Sequence, residues 1–212
     1  MGKIHVIGSS HAKRIGIQMA RVPRVNATIS NLGVPGAKFD QMVWPALSEV
    51  QAGDILLVSP FGNELQKYKC KKVGTVWKIQ RYHPISEPEY LALIEKLKSK
   101  LAEYPDSLCD KYVVTNFYRC LGLPTDQFQH PGWLKLQRSF NKILENLGRD
   151  RAFGVCSYII KHQDIVDSER VGRVLGKDWK RYADLQYDGI HFRNYGIIAR
   201  QILHQIRFYS AL

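Results

Sequence analysis

The chain has 212 residues, of which 45% are hydrophobic and 24% are charged. This length and composition are typical of one globular domain covering residues 1–212, and they exclude a wholly disordered chain. Lys and Arg outnumber Asp and Glu by 31 to 19, and the net charge of +12 favours anionic partners without choosing among nucleic acids, phosphorylated ligands and acidic membranes.

Short apolar runs alternate with amphipathic segments along the chain, which is typical of βα units around a mostly parallel sheet. The pattern predicts five strands, at residues 3–8, 25–31, 54–59, 112–116 and 152–158. It predicts helices near residues 12–20, 42–51, 87–103, 131–147 and 195–208. Two segments, residues 65–84 and 159–187, do not fit the alternation and are predicted to be loops beyond the strand ends. The sequence therefore predicts an α/β fold on a five-stranded, mostly parallel sheet.

Cysteine spacing and the length of the apolar runs bear on the cellular compartment in which the protein is expected. The four cysteines lie far apart with no Cys-x-x-Cys pair, which argues against a zinc site or a disulfide framework and favours free thiols: Cys70, Cys109, Cys120 and Cys156. No apolar run approaches the roughly 18 residues that a membrane span needs, and the N-terminal run is too short for a signal-peptide core. We therefore expect a cytoplasmic protein. The sequence does not indicate an oligomeric state.

A serine follows the first predicted strand. Gly8, Ser9 and Ser10 lie where that strand leads into a helical segment. This position places a hydroxyl at the carboxyl end of a parallel strand, where open α/β sheets bind ligands, and beside the positive end of a helix dipole. Glycine and serine also occur here in ordinary helix caps and phosphate loops, so the pattern alone leaves these alternatives open.

Three later segments add polar groups at comparable positions. Gly36 follows the second predicted strand and can present its backbone N–H to a ligand. Asn63 follows the third strand, and Asp188 and His191 precede the last helix. The chain thus carries a hydroxyl, a flexible N–H, an amide and an Asp/His pair at four separate places.

In this order the four segments resemble the short sequence blocks of the SGNH (GDSL-type) hydrolase family. Residues 8–10 are similar to its Gly-Asp-Ser block, Gly36 to its oxyanion-hole glycine, residues 62–64 to its Gly-x-Asn-Asp block and residues 188–191 to its Asp-x-x-His block. Each block alone is common, whereas the ordered set is specific. The resemblance implies a flavodoxin-like, three-layer α/β/α fold and a serine esterase that cleaves acetyl or other short acyl esters.

The resemblance also implies a role for each residue. Ser10 would attack the acyl carbonyl, His191 would take its proton, and Asp188 would orient the imidazole. The backbone N–H groups of Ser10 and Gly36 and the side-chain amide of Asn63 would form the oxyanion hole. No cofactor and no metal are implied, and the substrate would be a small acyl ester.

Two residues depart from the family pattern. Ser9 stands where the family usually has Asp, and Glu64 stands where Asp usually follows the oxyanion asparagine. Because the usual residues hydrogen-bond neighbouring turns in the family, these changes can loosen the site. The alternative is therefore a catalytically weak or inactive SGNH-fold protein that acts as a nucleic-acid-binding or scaffold module.

A basic segment follows Asn63. Residues 67–82 hold three aromatic residues and six candidate anion-binding cations: Lys67, Lys69, Lys71, Lys72, Lys78 and Arg81. Such interleaving can hold phosphates while stacking bases, or lie on an anionic membrane surface, or simply form a solvated loop. We expect the segment to border the site, where an anionic substrate, RNA or an anionic membrane surface is a candidate partner. A weaker resemblance, on residues 113–118, is to esterase domains of LINE retrotransposon proteins.

Two histidines near the predicted site are assigned structural roles. His11 follows Ser10 on the first helical turn, where residues commonly cap the helix or face solvent, so it is left outside the catalytic group. His5 alternates with Ile4 and Val6 and is predicted to be a core or sheet-edge histidine. The remaining histidines share no metal-ligand spacing.

Overall fold

The computed structural model describes residues 2–23, 25–73, 76–117, 133–148, 158–161, 191–192 and 194–210. Its strands are β1 (Lys3–Gly8), β2 (Thr28–Asn31), β3 (Asp54–Ser59), β4 (Gln66–Val73), β5 (Val76–Pro84), β6 (Cys109–Val114) and β7 (Tyr158–Ile160). Its helices are α1 (Ser10–Met19), α2 (Glu87–Ala102), α3 (Trp133–Glu145) and α4 (Tyr195–Ser210). No helix within the described ranges is both long and apolar enough to cross a bilayer.

Five strands form one parallel sheet in the order β2-β1-β3-β6-β7. This is the flavodoxin-like strand order, so the predicted α/β fold is confirmed. The order reverses at β1, whose two neighbours are β2 and β3. Open sheets of this kind bind ligands beyond the carboxyl ends of the strands at such a reversal. Gly8, paired with Ser59 of β3, marks that end of β1.

Side chains of the sheet alternate between two apolar clusters, one on each face. Ile4 and Val6 of β1 belong to the cluster that packs against α1 and α4, whereas Ile7 and Val58 belong to the cluster that packs against α2 and α3. The helices on both faces give the three layers that the resemblance implied. At the start of α2, Ser86 Oγ accepts the N–H of Glu89, so the side chain satisfies one of the unpaired donors of the first turn.

Where a strand begins is set more by the strand it pairs with than by its own pattern of apolar residues. The predictions for residues 3–8 and 54–59 match β1 and β3. β2 begins at Thr28, opposite the first residue of β1, and β6 begins at Cys109, opposite the first residue of β3. Both starts differ from the predicted 25 and 112. The predicted strand 152–158 meets β7 only at Tyr158, and residues 151–157 lie outside the described ranges.

The helix predicted for residues 42–51 is wrong. The structure has two 3₁₀ turns in this region, Phe39–Gln41 and Leu47–Glu49, joined by extended segments. Pro45 lacks the N–H that a continuous helix needs and biases the preceding Trp44 away from helical backbone angles. Met42 and Val50 are nevertheless buried, which explains why their spacing resembled a helical face.

The loop predicted for residues 65–84 is also wrong, because β4 and β5 form an antiparallel hairpin that is separate from the main sheet. Tyr68 pairs with Tyr82 and Lys69 with Arg81, and a bulge follows Lys69. The high density of cations obscured the alternation that is typical of a strand. The other predicted loop, residues 159–187, begins within β7 and otherwise lies mostly outside the described ranges.

Candidate active site

The turn from β1 to α1 places Ser10 at the carboxyl edge of the sheet. Gly8 has a φ of +146°, and a Cβ at this position would lie 2.5 Å from the carbonyl oxygen of Ser59 and 2.9 Å from Cβ of Ala12. Only glycine permits β1 to approach β3 and α1 so closely at this position. Ser9 is buried at the N-cap of α1, where its side chain makes no capping hydrogen bond. Ser10 is the first residue of the helix.

The structure brings His191 to Ser10 although 181 positions separate them in the sequence. Nε2 of His191 lies 2.9 Å from Oγ of Ser10, which is hydrogen-bonding distance. His191 precedes α4, which packs against α1 on the same face of the sheet. This is the contact that a serine nucleophile requires with its general base. Asp188, the predicted acid, lies outside the described residues.

Gly36 lies in a loop that continues alongside the end of β1. The N–H of Val34 donates to the carbonyl oxygen of Gly8 at 2.9 Å, so the loop stays next to the turn that carries Ser10. Gly36 has a φ of +78°, and apart from Gly36 and its two chain neighbours no atom lies within 4 Å of the position that a Cβ would occupy. The residue therefore needs glycine for its backbone conformation, and its Cα faces open space.

Asn63 lies in the turn after β3 and is tied to the Gly36 loop. Its Nδ2 donates to the carbonyl oxygen of Ala37 at 2.9 Å. The next residue, Glu64, accepts the N–H of Phe39, so the longer carboxylate still reaches the neighbouring turn. Burial raises the pKa of Glu64, while the hydrogen bond from Phe39 acts in the opposite direction. The three predicted oxyanion donors thus lie on neighbouring turns at the carboxyl ends of β1, β2 and β3.

No family model and no curated protein sequence matches this chain. Solved structures do match. An acetyl xylan esterase variant from Geobacillus stearothermophilus is 15% identical with a TM-score of 0.58, and the match covers 98% of this chain and 95% of that one. A protein from Streptococcus pneumoniae described as a candidate platelet activating factor is 12% identical with a TM-score of 0.60, covering 97% and 84%. Protein YxiM from Bacillus subtilis is 13% identical with a TM-score of 0.58, and this chain spans 57% of its length.

The chain has the same α/β fold as these structures, a five-stranded parallel sheet between helices. The resemblance drawn from the ordered sequence blocks is confirmed at this level. At 12–15% identity the likeness establishes the fold and leaves the activity to be argued from the site. The further resemblance to LINE retrotransposon proteins finds no support in these comparisons.

Within this fold, His11 departs from its predicted role. It is 4% exposed, its Nδ1 lies 2.8 Å from the hydroxyl of Tyr195, and its ring centroid lies 5.5 Å from that of His191. The expectation that it caps the helix or faces solvent is wrong. Because α1 begins at Ser10, His11 shares the buried face of α1 with Ile15 and Met19. That four-residue spacing is the sequence signal that the prediction missed.

Phe61 is a second feature that the sequence did not indicate. It lies between β3 and Asn63, is 1% exposed and has a φ of +58°, an uncommon value for a bulky residue. Its ring packs against those of Phe39 at 5.6 Å and Tyr90 at 5.7 Å. Such backbone strain costs on the order of 1–3 kcal/mol and persists where packing offsets it, commonly beside functional sites. Phe61 thereby anchors the turn that carries Asn63.

His5 is a core histidine, the first of the two positions predicted for it, core or sheet edge. It is 2% exposed, and its Nε2 lies 3.4 Å from Oδ2 of Asp54 at the start of β3. Burial lowers the pKa of His5 more than Asp54 raises it, so the contact is a hydrogen bond of a neutral imidazole. Although burial raises the pKa of Asp54, hydrogen bonds from the backbone of Gln51 and Lys3 lower it below its usual value.

The six candidate anion-binding residues all lie on the β4–β5 hairpin. Because successive residues of a strand alternate between faces, Lys67, Lys69 and Lys71 share one face of the hairpin. Register adds two more cations to that face, Arg81 opposite Lys69 and Lys78 opposite Lys71. We call these five residues the cationic face. Lys72 belongs to the other face, together with Trp77, Tyr68 and Tyr82. Elsewhere, no group of three or more His, Cys, Asp or Glu within the described ranges could hold a metal ion.

Proposed function

We propose that this chain is a serine esterase that cleaves acetyl or other short acyl esters. The observation that carries the proposal is the 2.9 Å distance between Nε2 of His191 and Oγ of Ser10 at the carboxyl edge of the sheet. A neutral imidazole at this distance can accept the hydroxyl proton as Oγ attacks the acyl carbonyl. The imidazolium formed in this way then protonates the departing alcohol, which leaves an acyl-enzyme. Water hydrolyses the acyl-enzyme and completes the cycle.

The neighbouring turns supply what the developing oxyanion needs. The N–H groups of Ser10 and Gly36 and the Nδ2 of Asn63 are proposed as its donors, and the N-terminus of α1 adds the positive end of a helix dipole. Asp188 is proposed to hold the His191 tautomer and to stabilise the imidazolium, as in other serine triads. The Asn63 amide is held by its bond to Ala37 before substrate binds, which is the condition under which such groups lower an activation barrier.

The test is hydrolysis of p-nitrophenyl acetate by the wild-type chain and by Ser10→Ala. We expect the substitution to lower kcat by at least about 10³-fold, because the nucleophile is removed. Ser9→Ala is the matched control, since it removes a neighbouring hydroxyl that makes no capping bond. A fluorophosphonate probe should label the wild type and Ser9→Ala but not Ser10→Ala. Equal hydrolysis by wild type and Ser10→Ala would falsify the proposal.

A second candidate function, RNA binding through the cationic face, is favoured by the register of the hairpin. Lys69 pairs with Arg81 and Lys71 with Lys78 in the register of the two strands, so four cationic residues occupy neighbouring positions on one face. A phosphate backbone is the kind of ligand that such a concentration of positive charge favours. Register assigns the aromatic residues to the other face, which argues against stacking bases between these cations. The expected binding is therefore independent of sequence and sensitive to salt.

Two variants test this candidate function. Lys69→Gln removes one positive charge from the cationic face, and Lys72→Gln removes one from the opposite face as a control. Binding of single-stranded RNA oligonucleotides would be measured between about 50 and 200 mM salt. We expect Lys69→Gln to reduce the slope of log K against log salt by about 0.7, the value for one phosphate contact on a single strand, and Lys72→Gln to leave it unchanged. Equal effects of the two variants would reject the cationic face as the binding surface. Binding to vesicles of anionic lipid without binding to RNA would reject RNA as the partner.

A further inference from the structure

We propose that His11 and Tyr195 are a positioning pair that holds His191 against Ser10, an inference that rests on the proposed esterase function. The hydroxyl of Tyr195 lies 2.8 Å from Nδ1 of His11. His11 directly follows the nucleophile on α1, and Tyr195 begins α4, four positions after the base. This one hydrogen bond therefore joins the element that carries Ser10 to the element that follows His191.

A second contact extends the pair to the backbone beside the base. The N–H of Phe192, the residue after His191, lies 3.4 Å from the Tyr195 hydroxyl and donates to it. A phenol oxygen can accept this bond while donating its own proton to His11 Nδ1. The Tyr195 hydroxyl thus contacts the backbone next to His191 and the side chain next to Ser10.

Aromatic packing keeps this connection buried. The ring of Phe117 lies 5.2 Å from that of His11 and 5.1 Å from that of Phe192, and the Phe192 and Tyr195 rings meet edge to face at 5.7 Å. These four side chains are each at most 6% exposed. Hydrogen bonds in such dry surroundings are not exchanged for bonds to water, so losing a partner is costly. The pair is therefore suited to fixing the direction of the His191 ring.

The consequence for catalysis is specific. Nε2 must remain within hydrogen-bonding distance of the Ser10 hydroxyl for proton transfer, and a displacement of about 1 Å can lower a rate by about 10²-fold. A weakened pair would allow His191 to turn away before substrate reacts. Because neither member is proposed to bind the acyl group, the effect should fall on kcat and leave KM nearly unchanged.

Tyr195→Phe is the decisive variant, because it removes the hydroxyl and keeps the ring. We expect kcat for p-nitrophenyl acetate to fall by about 10- to 10²-fold with KM within about twofold of the wild type. Tyr104→Phe is the matched control, since the Tyr104 hydroxyl makes a buried 2.7 Å hydrogen bond to the carbonyl oxygen of Pro45 in the other apolar cluster. Both variants lose one buried hydroxyl and keep the ring, but only Tyr195→Phe should lose turnover.

His11 is tested by two substitutions. His11→Phe keeps an aromatic ring without an acceptor for the Tyr195 hydroxyl, and His11→Gln keeps an acceptor. We expect His11→Gln to retain more of kcat than His11→Phe, whereas a purely packing role would reverse this order. Thermal unfolding of every variant checks that the fold is intact. If wild type is active and Tyr195→Phe has the same kcat, the positioning pair is rejected while the esterase stands; if wild type is inactive and unlabelled by the probe, the proposed function itself fails.

Discussion

The polar side chains around Ser10 are held by the backbone of neighbouring turns. Besides the Asn63 and Glu64 contacts, Nδ2 of Asn31 donates to the carbonyl oxygen of Lys13 at 2.9 Å, and its Oδ1 accepts the N–H of Gly33 at 3.2 Å. The first bond connects the end of β2 to α1, and the second holds the turn that follows β2. The proposed oxyanion donors would in this way be in place before substrate arrives, as the proposed catalysis requires.

Asn63→Ala tests the oxyanion hole at the scale of one residue. Removing a single oxyanion donor costs about 10²–10³ in kcat, and we expect a loss in that range with little change in KM. The variant also loses the hydrogen bond to Ala37, so thermal unfolding is measured beside the kinetics of p-nitrophenyl acetate hydrolysis. Retention of full kcat by a folded variant would exclude the Asn63 amide as an oxyanion donor.

His5 and Asp54 give stability a pH dependence of defined sign. Burial lowers the pKa of His5 below its usual 6.5, so the unfolded chain takes up a proton that the native chain does not, and stability falls as pH drops below that value. The lowered pKa of Asp54 adds a further loss at more acidic pH, as its carboxylate becomes protonated. We expect His5→Gln to lose less stability than wild type between pH 7 and pH 5. Urea unfolding at the two pH values measures this difference, and parallel losses would contradict the expectation.

The residues that flank the β4–β5 hairpin in the sequence, Leu65 and Ile85, lie side by side in the structure. The N–H of Ile85 donates to the carbonyl oxygen of Leu65 at 3.2 Å, and both side chains are buried in the cluster beside α2 and α3. Among the described helices and strands, β4 and β5 pack extensively only with each other. The two ends of the hairpin therefore meet at the body of the domain.

Replacing residues 66–84 with a short Gly-Ser linker should leave the rest of the chain folded. We expect the shortened chain to keep hydrolysis of p-nitrophenyl acetate and to lose salt-sensitive RNA binding, because the cationic face is removed. Circular dichroism, ester hydrolysis and RNA binding measure the three properties. An unfolded product would show that the hairpin supports the domain, and intact RNA binding would place that activity elsewhere.

The described part of the chain is built on a five-stranded sheet with an apolar cluster on each face. Neighbouring residues of β3, Leu57 and Val58, are buried in opposite clusters, so neither cluster can come apart without exposing the other side of the same strand. This arrangement predicts a single cooperative unfolding transition.

Leu97→Ala tests that expectation on the face remote from His191. Leu97 is fully buried in α2, and such truncations cost about 2–5 kcal/mol, a large share of the roughly 5–15 kcal/mol that stabilises a domain. Leu91→Ala on the same helix is the control, because Leu91 is 45% exposed and its loss should change stability by no more than about 0.5 kcal/mol. Urea unfolding followed by tryptophan fluorescence and by circular dichroism should give coincident transitions for both variants. Separate transitions would mean that the clusters unfold independently.

Prediction from sequence succeeded where local chemistry and local structure agree. β1 and β3 are apolar runs that end at Gly8 and Ser59, and the local pattern of apolar residues predicts their bounds. It failed at residues 42–51, where buried side chains have helical spacing but Pro45 prevents the helix. It failed again at the hairpin, because alternation within a run of lysines resembles a solvated loop until the partner strand is known.

The resemblance carried by four short blocks in order predicted the fold and named Ser10 and His191 as nucleophile and base. Only the tertiary structure decided that His191 lies 2.9 Å from Ser10, that His11 is buried against Tyr195, and that five hairpin cations share a face. The physical reason is that each of these depends on pairing between segments distant in the chain. Local propensity and periodicity carry no information about which distant segment becomes the neighbour.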